Sequence, residues 1–470
     1  MKQLLTLLGA AALSACASLP GKAPAPAIKP QTAYASARSF AAPLTDWPAN
    51  DWWKTYGDAQ LDTLIAEGLA GSPSVAVADA RLRRAQSYQA QARGALAPQV
   101  SANASTTEQK QSYNYLSPPS MTPQDWNDYG RASLDFSWEI DFWGKNRAAL
   151  AAATSEAVAA GADGTQARLA LSTAIASGYA ELARLYSAHD TAVAARELRS
   201  KTAALFAKRF DNGLETRGSV RQADSRQASS EADVLVIEEQ IALQKNKLAA
   251  LLGAGPDRAL LIARPAVNFT RAFALPATLS AELIGRRPDL VAARLRAEAA
   301  AKRIHVARAA FYPNVNLTAF IGVQALGVDM LKESGSDIGS VGPAVSLPIF
   351  NGGRLRAQLR GAEAEYAEAA ANYEKVLVQA LQDVADAAVS QRALGPQLEK
   401  VDAAVNAARE AWRVQNDRYN GGLATYLDVL SAEDYLLGNL RSQSDLRSRS
   451  MTLDVALNRA LGGGYQSSNP

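Results

Sequence analysis

The chain is written twice, and that duplication limits what it can fold into more than any single motif does. The segment PSVAVADARLRRAQSYQAQARGALAPQV from Pro73 corresponds to PDLVAARLRAEAAAKRIHVARAAFYPNV from Pro288, and both run from proline to proline, Pro73 to Pro98 and Pro288 to Pro313. Phe142 and Gly144 correspond to Phe350 and Gly352, and Gly213, Leu214, Thr216 and Val220 to Gly422, Leu423, Thr425 and Val429. Leu252-Gly253 corresponds to Leu461-Gly462. These four anchors keep their order at offsets of 215, 208, 209 and 209 residues, so the unit is about 210 residues long. The drop from 215 to 208 makes the connection from proline to Phe-x-Gly longer in the first copy. Residues 253–284, with Gly255, Pro256, Pro265 and Pro276, link a first repeat at 58–252 to a second at 285–462.

Each copy reads helix, two strands, long helix, turn, long helix. In ASLDFSWEIDF the apolar residues Ala132, Leu134, Phe136, Trp138, Ile140 and Phe142 alternate with Ser133, Asp135, Ser137, Glu139 and Asp141. That period of two, held over about eleven residues, suits an outer-membrane barrel strand as well as a half-buried soluble one. Recurrence at matched repeat positions favours the barrel, with strands over ~98–114, ~130–143, ~313–324 and ~339–350. Pro343 is expected to interrupt the last of them. Four strands cannot close a barrel, and an open sheet leaves edges that hydrocarbon cannot satisfy. Two chains would give eight strands and three would give twelve, and the strand count does not choose between them. From Gly144 to Phe210 there is no proline, and from Gly352 to Tyr419 only Gly361 and a break at Gly395-Pro396 are expected. The long helices are read over ~144–211 and ~352–420, with return helices over ~217–252 and ~425–461. A helix of about 65 residues is roughly 100 Å long, which suits a coiled-coil stalk. On the second one Tyr366, Tyr373 and Ala380, then Ala369, Val376 and Asp383, then Ala370, Leu377 and Val384 follow heptad spacing. The helices reverse at Asn212-Gly213 and at Gly421-Gly422, and Gly144, Gly352 and Gly353 mark the turns from strand to helix. Gly462-Gly463-Gly464 read as a helix stop, with 463–470 as a flexible tail.

The N-terminus carries an address. Lys2, an apolar stretch from Leu4 to Leu13 and then Ser14-Ala15-Cys16 have the parts of a secretory signal at 1–15. The apolar core is too short to span a bilayer. Leu13-Ser14-Ala15-Cys16 also resembles a bacterial lipobox, whose cysteine is acylated and begins the mature chain, and Ala17 after it favours the outer membrane. Residues 16–57 form a tether and belt segment, rich in Ala, Pro and Ser up to residue 45. Cys16 is the chain's one cysteine, and with only His189 and His305 beside it there is no Cys/His metal site and no internal disulfide. The near balance of 49 Lys+Arg against 46 Asp+Glu leaves no electrostatic footprint for nucleic acid.

With these features in place the chain resembles the TolC-like outer membrane factors, in the lipoprotein (NodT-type) branch serving resistance-nodulation-division efflux pumps. The matching residues are Asp51-Trp52-Trp53, Leu61 to Leu64, Glu139 to Gly144, Arg286-Arg287-Pro288-Asp289-Leu290, Pro348 to Gly353 and Arg418-Tyr419 to Gly422. The resemblance implies a mixed α+β membrane protein: a trimer with a twelve-stranded barrel, four transmembrane strands per protomer, and a long helical periplasmic tunnel. It implies a periplasmic adaptor (membrane fusion) protein and an inner-membrane pump as partners, besides outer-membrane lipid. It also implies a periplasmic gate. Asp428 matches an acidic constriction residue, Tyr419 an aromatic that holds the hairpins together, and Ser431 stands where many members carry a second Asp. Thr425-x-x-Asp428 equally reads as a capping box at a helix start, and the two readings are compatible. Asp454, late on the same helix, is taken as a control outside the tip.

No catalytic constellation accompanies these features. His189 and His305 are isolated, and no GxSxG, HExxH or Walker A run is present. The expectation is a non-enzymatic exit duct without cofactor, apart from a covalent lipid on Cys16. The alternatives are a type I protein-secretion duct, a lipid-anchored coiled-coil structural protein and a surface enzyme.

Overall fold

Alternation along one strand becomes a two-faced sheet once register is fixed. In the computed structural model, which describes residues 29, 33–36, 38–114, 118–266, 274–277 and 279–466, the elements run in the order expected of a duplicated unit. The first copy has α1 (Ala59–Gly71), α2 (Pro73–Gly94), β2 (Gln99–Lys110), β3 (Trp126–Glu139), α3 (Lys145–Asp211) and α4 (Arg217–Leu251). The second has α5 (Leu279–Arg286), α6 (Pro288–Ala309), β5 (Asn314–Leu326), β6 (Asp337–Ser346), α7 (Arg354–Asn420) and α8 (Tyr426–Ala460). Two short strands, β1 (Leu44–Thr45) and β4 (Leu275–Pro276), pair in parallel outside the repeats. Cys16 and the signal segment lie outside the described residues.

Two compact units form. One holds Leu82–Ala160 and Ala293–Tyr373, and its centre is an antiparallel sheet of order β2-β3-β5-β6. Each copy contributes one hairpin, and the copies meet where β3 pairs with β5. The register puts Val100 opposite Phe136, Leu134 opposite Ile321, Ala319 opposite Val341 and Val315 opposite Val345. These residues share one face, and Val100, Leu134, Ile321, Val341 and Val345 are exposed on it. The other face is largely polar. Asp135 accepts hydrogen bonds from Asn103 and Ser133 at 2.8 Å, and Arg131 lies over the Phe320 ring at 5.1 Å. An uncovered apolar face backed by a polar one is the pattern of barrel strands between lipid and an aqueous lumen.

Two details differ from the sequence expectation. β6 runs unbroken through Pro343, which pairs with Leu317 in the strand that forms one edge of this chain's sheet. β3 stops at Glu139 rather than near 143. The Asp141 carboxylate there accepts from the amides of Asn146 and Arg147, the free donors that begin α3. Trp143 stacks on Tyr312 at 4.7 Å and donates to the Pro313 carbonyl at 2.7 Å, closing the turn.

The second unit holds Lys29–Arg81, Gly161–Ala292 and the stretch from Glu374 onward. Asp58 starts α1 by accepting from the amides of Gln60 and Leu61, and it also accepts from the Tyr179 hydroxyl at 2.8 Å. That cap turns Leu61, Leu64 and Ile65 into a fully buried cluster with Ile175, Leu182, Leu248 and Leu252. Each such side chain contributes about 1.5–3 kcal/mol by burial. Arg287, 7% exposed, joins α5 to α6 through Asp289 and reaches Asp383 of α7 at 2.9 Å and the Ala460 carbonyl of α8 at 3.3 Å. The Arg-Arg-Pro-Asp run is therefore a structural knot.

The duplication is visible in packing as well as in sequence. A side chain at Gly253 (φ +75°) would sit 2.6 Å from the carbonyl of Gly71, and one at Gly462 (φ +85°) would collide with the carbonyl of Arg286. Gly71 and Arg286 are repeat equivalents, as are Gly253 and Gly462, so both copies close the end of the return helix by the same backbone approach. Gly463 and Gly464 continue in positive φ against Leu169 and Ala49. The flexible tail expected from 463 is therefore packed at its start, because only glycine lets the backbone come this close.

α7 runs without interruption through Pro396, so the break expected at Gly395-Pro396 is absent. Among its expected heptad rows, Ala370, Leu377 and Val384 are buried, as are Tyr373 and Ala380. No described helix is long and apolar enough to cross a membrane.

Ile321 lies mid-strand on the exposed apolar face. Ile321→Arg should cost about 2–4 kcal/mol where that face meets lipid and abolish heat-modifiable, membrane-assembled protein, whereas Ser340→Arg on the opposite face should assemble normally.

Candidate functional site

Two helical hairpins, α3–α4 and α7–α8, end in the second unit at matching turns. Gly213 (φ +71°) and Gly422 (φ +75°) carry the left-handed residue, and Asn212 donates its side-chain amide to the Lys208 carbonyl at 2.8 Å. Gly421 lies between the end of α7 and Gly422, and the left-handed step belongs to Gly422. Gly144, Gly352 and Gly353, all at positive φ, precede α3 and α7.

Tyr419 clasps the two hairpins. It is 4% exposed, and its hydroxyl donates to Glu215 Oε1 at 2.6 Å across the turns. Its ring stacks on Phe206 at 5.6 Å, and the Arg209 guanidinium lies over it at 4.6 Å. Tyr426 packs against the same Phe206 ring at 3.8 Å. Ala203, Ala223, Val429 and Leu430 complete this small core. Burial, and then the bond to the Glu215 carboxylate, hold the Tyr419 hydroxyl far above its ordinary pKa, so it remains a donor.

Asp428 is exposed and forms the cap that its spacing allows. Its Oδ2 accepts from the Thr425 amide at 2.8 Å and from the Thr425 hydroxyl at 2.7 Å. These bonds hold its carboxyl below the usual range, so it is charged throughout ordinary pH. In the first copy Thr216 begins α4 with Ser219 in the equivalent place, the Ser219 amide donating to Thr216 Oγ1 at 3.2 Å. A serine therefore starts the equivalent helix without a carboxylate, whereas Asp428 adds a charged acceptor to the same start. Ser431 is exposed one turn further along α8.

Asp454 does not serve as a control. It is buried, accepts from the Tyr56 hydroxyl at 2.8 Å and bonds Asn458, so replacing it disturbs the core around α1. His189 lies 3.3 Å from Glu238 on a helix surface, and His305 is exposed. No group of residues that could hold a metal is present among the described residues.

Glu215, Arg209, Phe206 and Tyr426 were not singled out in the sequence. The signal that marks two of them is divergence between the copies: Glu215 stands opposite Ala424, and Tyr426 opposite Arg217.

A family model described as outer membrane efflux protein matches residues 64–254 and 279–463, nearly the two repeats themselves. The chain belongs to the outer membrane efflux protein family. It is 38% identical over 359 residues to the fusaric acid resistance protein FusA of Burkholderia cepacia, covering 75% of this chain and 67% of that one. It is 30% identical over 473 residues to the pyoverdine export outer membrane protein OpmQ of Pseudomonas aeruginosa, covering 99% and 98%. Among solved structures it is similar to the outer membrane protein VceC of Vibrio cholerae, at 51% identity and a TM-score of 0.85, over 89% of this chain and 100% of that one. An outer membrane efflux protein is a channel and not an enzyme, sited in the outer membrane with a large periplasmic part. The fold is that of the trimeric channels, with a barrel and a helical tunnel, and such channels work with adaptor proteins and inner-membrane pumps.

The clasp yields a direct test. Tyr419→Phe keeps the ring and removes a bond to a charged acceptor, so the tip should lose about 1.5–3 kcal/mol of local stability, read as faster amide exchange at residues 213–216 with the barrel unaffected.

Proposed function

We propose that the chain is the lipid-anchored exit duct of a tripartite pump, held closed at rest where its hairpin tips meet. The observation that carries the gate is the contrast between Ser219 and Asp428: one capping arrangement, built twice, carries a carboxylate in only one copy. In a trimer that places three like charges about one axis, which attract cations and narrow the way for anions. The Tyr419–Glu215 bond then holds each chain's second hairpin against its first. The names of the relatives, fusaric acid resistance and pyoverdine export, support small organic molecules as cargo. The motif resemblance points to the resistance-nodulation-division class for the inner-membrane pump, and the lipobox reading of Cys16 supports a lipid anchor and disfavours a protein-secretion role.

Asp428→Ser installs the first copy's solution. It should leave thermal stability near wild type while raising single-channel conductance in planar bilayers and weakening cation preference. Unchanged conductance and selectivity would remove Asp428 from the gate.

Cys16→Ser should abolish incorporation of radiolabelled palmitate. Continued labelling would overturn the anchor.

A further inference from the structure

Next to the aromatic clasp lies a charged knot that neither the family motifs nor the capping pattern accounts for. Glu433 is 0% exposed, two turns along α8 from Tyr426. Beside it, Asp434 is well served: Arg199 of α3 donates to its Oδ1 at 2.9 Å and Arg226 of α4 to its Oδ2 at 2.8 Å. Glu433 is not. Its closest cation is Arg199 Nε at 3.5 Å, and neither carboxylate oxygen has a donor in good geometry, although the Thr202 hydroxyl lies near. The Tyr426 hydroxyl, also buried, has no partner. The charged and titratable groups facing Glu433 are thus Arg199 from α3, Arg226 from α4, and Asp434 and Tyr426 from α8.

A sealed carboxylate has lost its water. It recovers that cost only through strong hydrogen bonds or a close, dedicated counter-charge. Arg199 is shared with Asp434 and meets Glu433 off-line. Desolvation therefore outweighs attraction, and the ionised form is relieved if α8 moves off α3 and α4 and admits water. We propose that Glu433 is a positioning residue of the gate, setting how firmly the second hairpin is held on the first, and holding it more firmly when uncharged than when charged. This rests on the reading of the hairpin tips as the closing end of the tunnel.

The sign follows from proton linkage. Burial raises the carboxyl above its ordinary value of 4.5 in the closed form, while in an opened, hydrated form it returns toward that value. The closed form then binds more protons. Its advantage is complete below the ordinary value and is lost as pH rises through the raised one. Attraction to Arg199, if it dominated, would give the opposite slope.

Two measurements on the full-length protein decide the matter. Planar-bilayer conductance of wild type should rise by more than about twofold from about pH 5 to about pH 8, while Glu433→Gln should stay near the wild-type acidic value with that slope removed. Amide exchange along residues 430–437, corrected for its intrinsic pH dependence, should show protection falling with pH in wild type. A wild-type exchange profile that is flat, or that slopes the other way, overturns the proposal, as does a Glu433→Gln channel that keeps the wild-type conductance slope while Asp428→Ser alters conductance. The exchange measurement needs only wild type, so the test stands even if Glu433→Gln fails to assemble. If exchange follows pH as expected but neither Asp428→Ser nor Glu433→Gln alters conductance, the clamp stands and the tip is not the gate.

Discussion

Backbone hydrogen bonding at a sheet edge is the constraint from which the rest follows. β2 pairs only with β3, and β6 only with β5, so one chain offers two rows of unpaired amides and carbonyls. Water could satisfy them, but hydrocarbon cannot. The sheet's apolar face, with Leu134, Ile321 and Val341 uncovered, shows which solvent it is built for. Closing the sheet with copies of itself answers both demands at once, which is why a chain of this family has no stable use for its barrel strands alone.

The duplicated anchors, the period-two run through β3 and the turn glycines were legible in the sequence because each is a local rule with a local cause. Proline's effect on an element is not a local rule. Pro343 lies within the strand at one edge of the chain's sheet and Pro396 within a long helix, and neither element breaks there. Gly463 and Gly464 are tight rather than loose, because close backbone approach and flexibility call for the same residue. The clasp was half legible. Tyr419 could be named, but its acceptor Glu215 lies about two hundred residues earlier in the chain, and no spacing rule links them.

The tip shows how a repeated scaffold acquires a function that is not repeated. Both return helices start from threonine, both turns place glycine in the left-handed region, and both ends close on a glycine. Against that common frame the differences stand out: Glu215 against Ala424, Tyr426 against Arg217, and Asp428 against Ser219. They lie at the turns and helix starts where the two hairpins meet, and the knot of Arg199, Arg226, Glu433 and Asp434 lies beside them.

One consequence of the Gly253 and Gly462 contacts concerns symmetry. Two half-chains that close alike, each bringing one strand hairpin and one helical hairpin, give a trimer of this chain six equivalent half-chains. Six identical half-chains would carry a carboxylate at this helix start in all six copies or in none. Fusing the halves allows them to diverge, so that Asp428 of one copy has the uncharged Ser219 as its equivalent in the other. A fused repeat can thus hold a carboxylate at one helix start and a hydroxyl at its equivalent, a choice that strict self-assembly of one repeat would deny it.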